Sequence, residues 1–81
     1  MMVRVLLFAA AKEIIGKPTI EIQLPEPATL GDLKRKLVEN EARLEPLIGR
    51  SAFSIEESYA RDDQPLADGL EIGMIPPVSG G

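Results

Sequence analysis

Eighty-one residues allow one small domain, and with 44% of them hydrophobic but only Phe8, Phe53 and Tyr59 aromatic, its core must be compact and aliphatic. Cysteine and histidine are absent, which excludes disulfide staples, Cys/His zinc sites, iron–sulfur ligation, thiol nucleophiles and Ser–His relays, so no metal site is expected. Nine basic against thirteen acidic side chains leave a net charge of −4, which repels a phosphate backbone and argues against a nucleic-acid partner.

Residues 3–8 are rich in branched and aromatic side chains and predict a strand, with Val3, Val5 and Leu7 on one face and Arg4, Leu6 and Phe8 on the other. Both faces are largely apolar, the mark of a central strand or of one whose second face meets a partner. A helical turn or two over 9–15 should close at Gly16. The clearest period-two alternation follows at 19–24, where Ile20, Ile22 and Leu24 alternate with Thr19, Glu21 and Gln23; Pro25 and Pro27 end it.

Thr29 with Asp32 three residues later reads as a shortened capping box opening a helix over 30–41, with Leu30, Leu33, Leu37 and Val38 on its apolar face. The basic run Lys34, Arg35, Lys36 lies beside several acids and reads as a wet helix surface. Leu44, Leu47 and Ile48 suggest an irregular lid broken by Pro46. Strands are expected at 52–55 and 58–61, although Glu56–Glu57 between them is weak chemistry for a tight turn, which prefers Asn or Gly. Asp68–Gly69 is a better turn. It introduces a last strand at 70–75, with Leu70, Ile72 and Met74 inward and Glu71, Gly73 and Ile75 outward, stopped by Pro76–Pro77.

The order predicts an α+β roll: a mixed sheet of about five strands with one main helix across one face and the first and last strands at its centre. Residues 1–75 form this single domain, and residues 76–81 form an extended tail. The six acids between 56 and 71, against Arg61 alone, suit either a basic protein partner or a solvated acidic face. The longest apolar run, 5–11, is far too short to span a membrane, and no secretory signal precedes it, so the cytoplasm is the expected location.

The ending Pro76-Pro77-Val78-Ser79-Gly80-Gly81 is the most informative segment. The proline pair holds the chain extended, and two glycines without Cβ atoms fit a channel too narrow for other residues. Together with Val-Arg-Val-Leu-Leu-Phe-Ala at 3–9, Lys-Glu-Ile-Ile-Gly at 12–16 and Pro-Leu-Ala-Asp-Gly-Leu-Glu-Ile at 65–72, this ending resembles the small subunit of molybdopterin synthase, a family of ubiquitin-like sulfur carriers with the β-grasp fold. Glu56–Glu57 departs from the resemblance, where an asparagine-containing turn is expected.

The resemblance implies that the carboxylate of Gly81 is the working group. An E1-like activating enzyme using ATP and Mg²⁺ would adenylate it, and a persulfide donor would convert it to a thiocarboxylate. The sulfur would then pass to a pterin precursor on the synthase large subunit, to build the dithiolene of the molybdenum cofactor. This chain would bind no cofactor itself, its catalytic residues would lie on the large subunit, and the two subunits would form a heterotetramer. Pro76, Pro77, Val78, Ser79 and Gly80 would insert the tail. Leu6, Phe8 and Ile75, with Tyr59, would form the partner interface on the sheet face opposite the helix. Carriers for thiamine synthesis or tRNA thiolation, a ubiquitin-like modifier joined to lysines, and a docking module with an inert tail are the alternatives.

Overall fold

In the computed structural model, which describes residues 1–77, the strands are β1 (Met2–Leu7), β2 (Thr19–Gln23), β3 (Ala52–Ile55), β4 (Ser58–Tyr59) and β5 (Glu71–Ile75). The helices are α1 (Ala9–Ile15), α2 (Leu30–Asn40) and α3 (Glu45–Ile48), with a 3-10 turn at Ala42–Leu44 before the last. The strands form one mixed sheet in the order β2-β1-β5-β3-β4. β1 runs antiparallel to β2, with Val3 opposite Ile22, and parallel to β5, with Val5 opposite Ile72. β3 is antiparallel to both β5 and β4. The first and last strands are therefore neighbours in the interior of the sheet, as the element order predicts.

Alternation decides which face is buried. Val3, Val5 and Leu7 of β1, Ile22 of β2, Phe53 of β3, and Ile72 and Met74 of β5 all point into one core, where they meet Leu30, Leu33 and Leu37 of α2. Leu44, Ile48 and Leu66 close its ends, and among the described residues no polar or charged residue is buried. α2 starts where expected: Thr29 Oγ1 accepts from the Asp32 N–H at 3.3 Å, and the Asp32 carboxylate accepts from the Thr29 N–H at 2.9 Å. The reciprocal pair satisfies two donors that the first helical turn leaves without partners.

Three expectations need correction. Phe8 is not the last residue of β1; it is the residue before α1, and its carbonyl accepts from the N–H groups of Ala11 and Lys12. β4 ends at Tyr59 rather than Arg61, because the backbone of 61–66 turns to the start of α2: Gly31 N–H donates to the Asp62 carbonyl and Leu30 N–H to that of Gln64, both at 2.9 Å. The lid at 42–48 is helical rather than irregular. Pro46 lies in the first turn of α3, where its missing N–H would have no intrahelical acceptor.

Candidate docking face of the sheet

The sheet has one face against α2 and one open face, and strand pairing determines what the open face displays. Leu6 lies opposite Thr19 on one side and Gly73 on the other; Gly73 lies opposite Ser54, and Ser54 opposite Tyr59. Paired residues share a face, so this row crosses all five strands. Phe8 and Ile75 extend it toward the C-terminal end of β5. Phe8 is 47% exposed and Tyr59 78% exposed, while Leu6 and Ile75 are half-buried. The four candidate interface residues thus lie on one face, with Tyr59 at its outer edge.

Two residues that sequence reasoning gave no role shape this face. A Cβ at Gly73 would lie 2.7 Å from Ser54 Oγ, too close to stand without a shift of that hydroxyl, and 3.5 Å from Phe8 Cε2, in ordinary van der Waals contact, so the Phe8 ring borders the space above this glycine. A glycine inside a predicted strand is the signal that marks such a close approach. Ala9, immediately after Phe8, has a φ of 48°. A left-handed alanine costs roughly 1–2 kcal/mol, and here it turns the chain from β1 into α1 while leaving the Phe8 ring on the sheet.

Charge borders the apolar row. Arg4 lies between Glu21 at 3.7 Å and Glu71 at 3.2 Å, forming an exposed ladder across β2, β1 and β5. At the other side, Glu56 and Glu57 form the two-residue turn joining β3 to β4, with φ values of 52° and 67°. The weak turn chemistry does not prevent a tight hairpin; both glutamates adopt the left-handed region that this turn requires. The remaining acids of the 56–71 run are dispersed. Asp62 pairs with Lys34 at 2.6 Å, and Asp68 accepts from the Met2 N–H at 2.7 Å.

β5 ends at Ile75; Pro76 is buried and Pro77 exposed. Val78, Ser79, Gly80 and Gly81, the remainder of the expected tail and its working end, lie outside the described residues. Among the described residues no group of three or more acidic side chains is placed to hold a metal, and no helix is long and apolar enough to cross a membrane.

Comparison with family models finds a match, described as the ThiS family, over residues 5–81. The chain belongs to the ThiS family. The match begins in the central strand β1, runs through the open face and includes the four residues beyond Pro77. A molybdopterin synthase sulfur carrier subunit from Dictyostelium discoideum is 38% identical, over 96% of this chain and 94% of that one. Among solved structures, SAMP1 from Haloferax volcanii superimposes with a TM-score of 0.89 at 28% identity, covering all of both chains. A chain of the complex of subunits 1 and 2 of the molybdopterin-converting factor from Helicobacter pylori gives 0.70 at 28% identity, covering all of this chain and all of that one. These likenesses identify the α+β roll of this ThiS-family chain as the β-grasp, ubiquitin-like fold.

Proposed function

We propose that this chain is the sulfur-carrier subunit of molybdopterin synthase and that Gly81 carries the sulfur as a thiocarboxylate. The observation that carries this reading is the end-to-end likeness to molybdopterin synthase sulfur carrier subunits, 38% identical in Dictyostelium discoideum and 31% in Chlamydomonas reinhardtii. The open apolar face agrees with it, since a carrier must be gripped by the proteins that load and unload it.

The chemistry follows from the end group. A carboxylate resists nucleophiles because it is anionic and would have to expel oxide. Transfer of AMP from ATP by an E1-like enzyme, with Mg²⁺, gives an acyl-adenylate with a stable leaving group. A protein persulfide then attacks the Gly81 carbonyl, AMP departs, and a thiol cleaves the resulting acyl disulfide to leave the thiocarboxylate. Its sulfur attacks a pterin precursor held by the large subunit. With no histidine or cysteine, this chain is suited to carry the reacting group while its partners supply the acid–base and nucleophilic side chains. Pro76 through Gly80 would present Gly81 to those partners, in the cytoplasm.

The intact mass of the protein purified from its own cells tests the proposal. One oxygen-to-sulfur exchange localised to Gly81 is expected, and a chain that remains unmodified when coexpressed with an activating enzyme and a sulfur donor overturns it. A second reading, a modifier joined through Gly81 to lysines, is favoured by the likeness to SAMP1, the name given to small archaeal modifier protein 1. It predicts Gly81–lysine isopeptides in digests of cellular protein in place of the thiocarboxylate.

A further inference from the structure

Gly73 lies in the interior strand β5 and contributes no side chain, so the open face sinks beside it into a groove of about 630 Å³. Leu6 and Phe8 give the groove an apolar wall, while Glu56, Glu57 and Glu71 rim it. Arg4 engages Glu71, but neither Glu56 nor Glu57 pairs with any cation among the described residues. The hairpin turn thus sets two adjacent uncompensated carboxylates beside exposed hydrocarbon.

An apolar wall under an anionic rim matches a side chain with a long aliphatic stem and a cationic head. An aliphatic or aromatic knob would cover the hydrocarbon but leave Glu56 and Glu57 to lose water without a partner. An acidic one would be repelled. We propose that this groove receives a lysine or arginine side chain of the synthase large subunit, its stem along Leu6 and Phe8 above Gly73 and its head between Glu56 and Glu57. This rests on the docking partner of the proposed function and adds what that partner must present.

Calorimetric titration of the intact chain with its large subunit, at low and physiological salt, tests the groove. Glu56→Gln with Glu57→Gln preserves side-chain shape and removes charge, Phe8→Ala probes the face as a whole, and Glu39→Gln with Glu45→Gln is a control distant from the groove. The proposal expects the Glu56/Glu57 variant to bind about tenfold more weakly or worse and to lose most of the salt dependence, with the control unchanged. Affinity within about twofold of wild type for that variant, while Phe8→Ala still weakens binding, overturns the groove and leaves the docking face standing. A wild-type chain that does not bind the large subunit overturns the proposed function and the groove's occupant with it.

Discussion

Asp32 uses both carboxylate oxygens. Oδ2 accepts from the Thr29 N–H at 2.9 Å and from its hydroxyl at 3.2 Å, and Oδ1 pairs with Arg35 one helical turn on. The Thr29 backbone bond foremost, then the Arg35 guanidinium, hold the carboxyl below its ordinary value. A depressed folded-state pKa means that the contribution is present above the unfolded value and is lost as pH falls through the folded one. The difference in melting temperature between wild type and Asp32→Asn should therefore be steady near neutrality and shrink as pH drops below about 4. Curves that stay parallel down to pH values of about 2 would show that the charge does not matter. The Thr29–Asp32 pair was legible in the sequence because both partners lie three residues apart. The role of Gly73 was not, because its neighbours Leu6, Phe8 and Ser54 reach it only through pairing of strands remote in the chain.

Among the elements, the β3–β4 hairpin is where local preference and observed geometry disagree most. Glutamate at two consecutive left-handed positions is unfavourable, and Asn-Gly fits the same turn without that cost. Replacing Glu56→Asn together with Glu57→Gly should stabilise the chain by about 1 kcal/mol. For a domain of this size that raises the melting temperature by roughly 4–8 °C, measurable by calorimetry; an unchanged or lower value would mean that the turn is not strained. β1, β2, β3 and β5 were readable because one face of each is buried, whereas both residues of β4 are exposed and its end was misplaced. The helical character of 42–48 was not, since two short turns leave no period to detect and Pro46 reads equally as a breaker or as a first-turn residue.

At the scale of the whole molecule, the interior position of β1 and β5 followed from the sequence through a simple constraint: a hairpin, a helical crossover and a two-faced apolar first strand leave the centre to them. The use of the acidic run did not follow, because composition cannot say that Asp62 serves Lys34 and Asp68 the N-terminal backbone while Glu56 and Glu57 find no cation among the described residues. The buried core draws on residues between Val3 and Met74, so stability and sulfur loading should separate. A single alanine added after Gly81 should shift stability by no more than about 0.5 kcal/mol and abolish thiocarboxylate formation, as read by calorimetry and intact mass. Loading that survives the addition would remove Gly81 from the chemistry.

The parallel register of β1 and β5 also has a mechanical side. Traction on residues beyond Ile75, opposed at Met2, slides one strand along the other, so the ladder from Arg4 to Leu7 is strained together rather than opened one rung at a time. A pull on the end of this chain would therefore load all four rungs of that ladder in shear along the strands rather than peel them apart in turn.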